Sequence, residues 1–186
     1  RCTDDTTTPK DLRVELTKAP GRRVKLGNMP EVNVQFESRK LANDVGYIRF
    51  NLFMDPVTVN IGFRNAMEEF SECPGIVIDL RGNHGGIVFM VTGMAGLLIE
   101  ESGLKFGTMI QLDSKLKVIV NPQADVYAGK VAVLIDGGSV STSEIFAQGL
   151  MDLKRARVFG TQSCGAALPS MIERLPNGDG FQYAFA

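Results

Sequence analysis

The chain has 186 residues, a formal net charge of −1, and a composition that is 44% hydrophobic and 22% charged. These values are typical of a globular protein with one domain, or one domain plus a fragment, and the balanced charge gives no support to nucleic-acid or membrane-surface binding. Three widely spaced cysteines and a single histidine, His84, argue against a structural zinc site.

No signal peptide and no membrane-spanning segment are predicted in this sequence. No signal peptide precedes the polar, threonine-rich residues 1–9, and the longest apolar stretch, residues 87–99, is too short to span a bilayer. The chain opens abruptly at Arg1 and stops at Ala186 without an obvious end. We interpret it as a processed or trimmed piece whose true targeting is hidden.

A β-hairpin is predicted near the N-terminus. Apolar residues alternate with polar ones in residues 11–26, on both sides of a Pro-Gly turn at residues 19–21. A second alternating run and a polar link fill residues 27–44. We therefore divide the chain into an N-terminal segment, residues 1–44, and a core domain, residues 45–186, which we expect to be truncated at its C-terminus.

From residue 45 onward, predicted strands alternate with predicted helices. Phe63, Met67 and Phe70 recur at helical spacing, whereas short continuous apolar runs suit strands that are buried on both faces. The predicted strands cover residues 46–50, 75–80, 131–136 and 157–160, with a hairpin within 106–121, and the predicted helices cover residues 57–70, 87–100 and 141–153. This order indicates β-α-β units and an α/β fold.

The first of two unusual strand-to-helix junctions is Asp79-Leu80-Arg81-Gly82-Asn83-His84-Gly85-Gly86. Two glycines at the start of a helix let the chain turn sharply and leave amide hydrogens without partners, and such amides can bind a developing oxyanion. Glycine-rich turns after strands are also common where the backbone merely needs glycine. This junction by itself therefore does not define a catalytic site.

The second junction is Gly137-Gly138-Ser139-Val140-Ser141-Thr142-Ser143-Glu144. A serine at a helix N-terminus lies where the helix dipole favours negative charge, which suits a nucleophile. Ser141 and Glu144 equally form the pattern of a capping box, which needs no catalytic role. The stretch is not the Gly-x-Ser-x-Gly elbow, and this argues against an α/β-hydrolase.

Together the two junctions resemble those of the C-terminal processing (tail-specific) serine peptidases, the S41 type, over residues 46–178. In that family the middle serine of the Ser-x-Ser-x-Ser run is the nucleophile, which places this role on Ser141. The second residue of the Gly85-Gly86 pair in the first junction and the residue after the nucleophile supply the oxyanion amides in that family, which are Gly86 and Thr142 here. No cofactor or metal is implied.

The resemblance also implies a fold, a substrate and a location. The expected fold is related to the crotonase and Clp-protease cores, and a PDZ domain often precedes it, so we interpret the hairpin in residues 11–26 as the end of such a domain. The expected partner is an unstructured polypeptide, with its C-terminus as one recognition site. The expected location is exported: periplasmic, cell-envelope or extracellular.

The sequence departs from this family at the general base. Relatives with a Ser-Lys dyad have a lysine where this chain has Ala166, and a tricorn-type relative has a histidine where this chain has Arg49. Both positions therefore lack a base of the family's usual kind. His84 is the alternative base, because it lies in the turn that contains Gly86 and imidazole is the commonest general base.

Other ionisable residues are less suited to this role. Lys154 and Asp152 lie 13 and 11 positions after Ser141 in the predicted helix, which puts them about 20 and 16 Å away. We interpret Asp152 as a residue that ties down a neighbouring loop, and Glu144 as a cap. Cys164 is expected near the site, either as a small buried hydrophobe or as a reactive thiol.

We therefore predict a serine endopeptidase that cleaves unstructured polypeptide by acyl transfer through Ser141. The main rival is a pseudo-protease, or lysine-less variant, that binds extended peptides without cutting them, and Ala166 favours it. A second rival is a crotonase-type acyl-CoA enzyme, which would need an oxyanion hole but no serine nucleophile. The sequence leaves the oligomeric state open.

Overall fold

The structure, a computed structural model, describes residues 2–3, 9–10, 15 and 17–185. Three α-helices, thirteen strands and one 3₁₀ turn are present in these residues. In chain order they are β1 (Cys2–Thr3), β2 (Pro9–Lys10), β3 (Arg22–Val24), β4 (Val32–Val34), β5 (Phe36–Lys40), the 3₁₀ turn (Ala42–Asp44), β6 (Gly46–Phe50), α1 (Pro56–Glu69), β7 (Gly75–Asp79), α2 (Phe89–Gly96), β8 (Leu104–Ile110), β9 (Lys115–Val120), β10 (Lys130–Ile135), α3 (Thr142–Asp152), β11 (Ala156–Gly160), β12 (Ser170–Arg174) and β13 (Gly180–Ala184).

A five-stranded sheet forms the centre of the fold, in the order β11-β10-β7-β6-β5. The four strands β6, β7, β10 and β11 are parallel, whereas the edge strand β5 is antiparallel to β6. The parallel strands are joined by connections that contain helices, as parallel pairing requires. Asp79, the last residue of β7, pairs in register with Leu134 near the end of β10. The turns that follow β7 and β10 therefore lie side by side at the carboxyl edge of the sheet.

The helices cover this sheet with their apolar faces. Val59, Phe63 and Met67 follow helical spacing in α1 and are all buried, and α1 packs against β5 and β6. Helix α2 is apolar on every side, as expected for an enclosed helix, and it packs between α1, α3 and β9. Helix α3 packs against β11 and β8.

A row of five phenylalanine rings crosses the core. Phe50 and Phe53 meet edge to face with centroids 4.8 Å apart, and Phe53 lies 5.8 Å from Phe146. Phe36 at the sheet edge and Phe106 on β8 extend the row at both ends, each 6.3 Å from its neighbour. Such pairs stabilise a core beyond the area that they bury. The row connects the sheet edge, the segment after β6, α3 and β8.

The predicted α/β class is confirmed, and the five predicted sheet and hairpin regions of the core are present. Helix α2 is shorter than predicted, since the chain turns after Gly96 through hydrogen bonds from Leu97 to Met94 and from Leu98 to Ala95. The hairpin of β12 and β13 was not predicted from the sequence, because its apolar residues are mixed with Gly, Pro and Asn and gave no clear alternation.

The N-terminal hairpin differs from its prediction. Arg22–Val24 pairs with Val32–Val34, so the hairpin lies further along the chain than residues 11–26. The predicted first strand falls on residues 11–14 and 16, which lie outside the described residues. Its relation to a PDZ domain stays a prediction. The boundary at residue 44 also stays a prediction, and β5, which lies in the N-terminal segment, pairs with β6 of the central sheet.

Candidate active site

Two turns meet at the carboxyl edge of the sheet. The glycine turn, residues 81–86, follows β7, and the serine turn, residues 136–141, follows β10 and leads into α3. Asp136 accepts hydrogen bonds at one carboxylate oxygen from the amides of Gly82, at 2.8 Å, and Gly138, at 2.9 Å. The Ser139 hydroxyl donates to the carbonyl of Leu80 at 2.7 Å. These bonds fix the two turns to each other.

Asn83 provides the second set of bonds between the turns. Its fully buried side chain donates to the Phe50 carbonyl at 2.8 Å and accepts from the Gly85 amide at 2.9 Å. The Ser143 hydroxyl lies 2.8 Å from both the side-chain and the backbone oxygen of Asn83, and the Val140 amide donates to that backbone oxygen at 3.0 Å. Buried polar groups that are fully paired in this way define one arrangement of the backbone.

Sequence reasoning did not single out Asp136, Asn83, Ser139 or Ser143 for these roles. The available signal was their residue type, because Asp, Asn and Ser in turns commonly bond nearby backbone groups. The tertiary partners could not be read from the sequence, since the bonds join residues that are 54 to 60 positions apart.

Ser141 differs from the two serines that flank it. Ser139 and Ser143 are fully buried, and their hydroxyls bond the glycine turn. Ser141 is partly exposed and caps α3 with φ 57° and ψ −116°, a conformation that is strained for a residue with a side chain. The middle serine of the run is thus the one whose position is not explained by a bond between the turns.

Gly85 makes the closest approach of the two turns. A Cβ atom on Gly85 would lie 2.6 Å from the Val140 carbonyl oxygen and 2.9 Å from both the Ser141 Cβ and the Thr142 nitrogen. Its φ of 82° also favours glycine. The sequence therefore needs glycine here for a packing reason, and this contact places Ser141 directly against the glycine turn.

Gly86 and Thr142 follow Gly85 and Ser141 directly in the chain. The Phe53 amide donates to the Gly85 carbonyl at 2.8 Å, and the Ile87 amide donates to the Phe53 carbonyl at 2.7 Å, so this bridge leaves the Gly86 amide unused. The Thr142 hydroxyl donates to the Gly86 carbonyl at 2.8 Å. Within the described part of the chain, neither the Gly86 nor the Thr142 amide has an acceptor.

The Glu144 carboxylate ties a loop to the start of α3. One oxygen accepts from the amides of Ser141, at 2.8 Å, and Ala166, at 3.0 Å. The other accepts from the Ser163 hydroxyl, at 2.7 Å, and the Gly165 amide, at 2.6 Å. Partial burial by itself would raise the pKa of Glu144, but these four bonds outweigh it and hold the pKa below its usual range. The capping prediction for Glu144 was correct but incomplete.

This loop, residues 163–166, places Ala166 beside Ser141. Their two amide nitrogens bond the same oxygen atom, so they lie no more than about 6 Å apart. Ala166 is exposed, so its side-chain position opens to solvent. Cys164 in the same loop is exposed, not a buried hydrophobe, and its amide donates to the Ser139 carbonyl at 3.1 Å.

The remaining ionisable residues considered for the base lie at different places in the fold. His84 is exposed at the tip of the glycine turn, next to Gly85, and Arg49 is exposed on β6. Lys154 lies beyond the end of α3. Asp152 accepts a bond at 2.6 Å from Gln148 of its own helix and does not serve as the predicted tie to a neighbouring loop.

A buried carboxylate supports the glycine turn from below. Asp79 is fully buried and accepts two bonds from the Arg81 guanidinium, at 2.9 and 2.7 Å, and one from the Tyr47 hydroxyl at 2.7 Å. Burial by itself would raise the pKa of Asp79, but these hydrogen bonds and the charge of Arg81 lower it to about 2. Burial, together with the hydrogen bond to Asp79, raises the pKa of Tyr47. Asp79 is therefore ionised at neutral pH and fixes the start of the turn.

An open groove of about 640 Å³ runs beside α3 from the site. Its lining is mostly apolar, with Phe106, Ile145, Met151 and Leu168 among the residues that form it. Glu144 and Ser163 line the end nearest Ser141. Among the described residues that line it, none is a lysine or an arginine.

Fold and site together define an α/β protein whose glycine-rich and serine-rich turns meet at the carboxyl edge of a central sheet. The family model for Peptidase family S41 matches residues 44–186 of this chain. The chain therefore belongs to peptidase family S41, and the family resemblance of its junctions is confirmed.

Curated relatives are proteases by name. The chain is 30% identical over 146 residues to a carboxy-terminal-processing protease of Bartonella bacilliformis. The alignment covers 72% of this chain and 32% of the relative. The chain is 24% identical over 166 residues to a probable CtpA-like serine protease of Staphylococcus haemolyticus, which covers 87% of this chain and 32% of the relative. The chain thus spans about a third of the length of these relatives.

Solved structures show the same fold. A putative peptidase from Parabacteroides merdae matches with a TM-score of 0.68 and 22% identity, over 81% of this chain and 50% of that one. The photosystem II D1 C-terminal processing protease matches with a TM-score of 0.64 and 23% identity, over 87% of this chain and 43% of that one. In the described part of this chain, no helix is both long and apolar enough to cross a membrane.

Proposed function

We propose that this chain is the core of a serine endopeptidase in which Ser141 attacks a peptide carbonyl. The observation that carries the proposal is the close approach of Gly85 to Ser141, which supports an oxyanion site formed by the amides of the residues that follow them, Gly86 and Thr142. Two amides that have no acceptor among the described residues, one in the glycine turn and one at the start of α3, are suited to bind the negative charge that develops on the carbonyl oxygen.

The proposed reaction is ordinary acyl transfer. The Ser141 oxygen bonds the carbonyl carbon, the hydroxyl proton passes to a base, and the peptide C–N bond breaks as the leaving amine takes a proton. Water then hydrolyses the ester and restores the serine. The strained backbone of Ser141 supports this role, since such strain is found where structure holds a functional side chain in place.

Proton transfer to a general base is the step for which this sequence lacks the family's usual residue. Ala166 stands where dyad relatives have lysine, and its amide shares an acceptor atom with that of Ser141, so a lysine side chain from this position has a short path to the hydroxyl. We propose that the chain as it stands has weak activity, and that the alternative function is binding of extended peptide without cleavage. The apolar groove beside α3 supports either function with a polypeptide partner.

Restoring the lysine tests the proposal. We expect Ala166→Lys to raise the rate at which a fluorophosphonate probe labels Ser141 by about 10² to 10⁴-fold, the usual scale of general-base catalysis. Ala167→Lys is the matched control, because it adds the same charge one residue away, and Ser141→Ala should abolish labelling in every background. Labelling that is independent of Ser141 would overturn the proposal, and equal labelling in Ala166→Lys and Ala167→Lys would remove position 166 from it.

Cleavage of a disordered protein separates the two functions. We expect slow or undetectable cleavage by the chain itself and measurable cleavage after Ala166→Lys. If His84 is the base, cleavage by the chain itself should be robust and should be lost in both His84→Ala and Ser141→Ala. Robust cleavage that survives His84→Ala would mean that another group is the base.

The location of the protein is also a proposal. Two of its relatives are named as a probable CtpA-like serine protease and a carboxy-terminal-processing protease, and we propose an exported protein, periplasmic, cell-envelope or extracellular, with polypeptide substrates. Fractionation of cells that express the full-length protein, with detection of this domain, would test the location.

A further inference from the structure

One short segment connects the N-terminal hairpin to the glycine turn. Residues 51–55, which we call the strut, run from the end of β6 to the start of α1. At the centre of the strut, the Phe53 backbone holds the glycine turn, since its amide bonds the Gly85 carbonyl and its carbonyl accepts from Ile87. A Cβ on Gly86 would lie 2.3 Å from the Phe53 carbonyl oxygen, so the two backbones are in close contact.

The N-terminal segment holds the first end of the strut. The Asn51 side chain accepts from the Gln35 amide at 2.8 Å and donates to the Asn33 carbonyl at 2.8 Å. These are both backbone groups at the end of β4, so Asn51 acts as a polar link between the hairpin and the strut. Its position is fixed from two directions.

The hairpin also holds the other end of the strut. Arg22 of β3 forms an ion pair with Asp55 at 3.2 Å, and the Asp55 side chain is only 8% exposed. Asp55 adopts φ 53° and ψ 79°, which is strained for a non-glycine residue, and the Thr58 hydroxyl also bonds its carboxylate. The side-chain contacts of Asp55 therefore stabilise the unusual backbone that redirects the chain from the strut into α1.

We propose that the β3–β4 hairpin positions the oxyanion-binding turn through this strut, with Arg22 and Asn51 as positioning residues. Phe53 lies between the two anchored ends, so a change in the hairpin is transmitted to the backbone that holds Gly85, Gly86 and Ile87. A partner or domain that moves the hairpin would thereby alter the rate of acylation. The effect on acylation rests on the proposed function, whereas the effect on the turn does not.

Amide hydrogen exchange tests the positioning directly. We expect Arg22→Ala to speed exchange of the Phe53 and Ile87 amides by about three- to tenfold, the scale of one partly buried ion pair. Arg22→Lys should recover part of the protection. Arg23→Ala is the matched control, because Arg23 is 74% exposed on the same strand and pairs instead with Glu31, and it should change neither amide.

Further readouts separate this inference from global unfolding and from the proposed function. Amides of Ile78 and Val133 in the central strands should keep their exchange rates in Arg22→Ala, and Asn51→Ala should speed Phe53 and Ile87 as well. In the Ala166→Lys background, Arg22→Ala should lower probe labelling by a similar factor. Unchanged Phe53 and Ile87 exchange in both variants would overturn the inference. Faster exchange without any labelling of Ser141 would support the positioning and contradict the proposed function.

Discussion

At the scale of single residues, Glu144 links the start of α3 to the loop at residues 163–166. Its carboxylate accepts four bonds that join Ser141 to the loop with Ala166, so we expect Glu144→Ala to release that loop. The free energy of unfolding should fall by about 2 to 4 kcal/mol, and probe labelling of the Ala166→Lys variant should fall at least tenfold, because charged hydrogen bonds are lost together. Denaturant titration and labelling rates measure both. Asp152→Ala on the same helix is the control, and an equal loss there would contradict the specific role.

Asp79 should give the protein a characteristic dependence on acid. Its pKa is about 2 in the folded protein against an ordinary value of 3.8, so the stabilisation is fully present above the ordinary value and is lost as pH falls through about 2. We expect Asp79→Asn to lower the free energy of unfolding at neutral pH by about 2 to 3 kcal/mol, and with it the melting temperature. The difference from the unsubstituted protein should shrink towards pH 2. Melting curves from pH 2 to 7 measure this, with Asp113→Asn in the exposed β8–β9 turn as control. A difference that stays constant with pH would count against the assigned ion pair.

At the scale of elements, the two turns behave as one unit, and Gly85 is the test of it. A Cβ there would meet the serine turn at 2.6 Å and would also occupy φ 82°, so Gly85→Ala should separate the turns. We expect a loss of about 2 to 4 kcal/mol and loss of probe labelling in the Ala166→Lys background. Gly82→Ala is the matched control, since Gly82 has φ 68° but nothing within 4 Å of its Cβ, and should cost only about 1 to 2 kcal/mol. Equal effects in the two variants would mean that backbone strain, not turn contact, decides.

The sequence was informative for elements and less so for their contacts. Periodicity located α1 and α3 within one or two residues, because their apolar spacing is strong, and glycine with serine marked both turns. The sequence could not show that Glu144 holds the loop at residues 163–166, because a capping box within α3 already accounts for Ser141 and Glu144. The Pro-Gly turn is a strong local signal for a hairpin in residues 11–26, whereas the described partner of β3 is β4, which packs on the core through Val34.

At the scale of the whole molecule, the row of phenylalanine rings joins the layers into one core. Phe146 on α3 contacts both Phe53 and Phe106, so its loss should affect the sheet edge and the β8 hairpin together. We expect Phe146→Ala to lower the free energy of unfolding by about 3 to 5 kcal/mol in a single cooperative transition. Urea denaturation, monitored by tyrosine fluorescence and by circular dichroism, measures this free energy. Phe159→Ala, at a side chain that is 51% exposed, should cost far less, and two separate transitions would argue against a single core.

The way in which the loop beside Ser141 is attached has a consequence for how such a chain can change over time. Glu144 grips this loop through main-chain amides and one serine hydroxyl, so the side chain at position 166 takes no part in the attachment. If a lysine at position 166 supplies the base, as proposed above, a substitution there adds or deletes that amine while the fold and the groove persist. On that proposal, turnover and architecture depend on different residues, and a protease lineage can yield a stable binding protein, or recover a protease from one, through substitution at a single position.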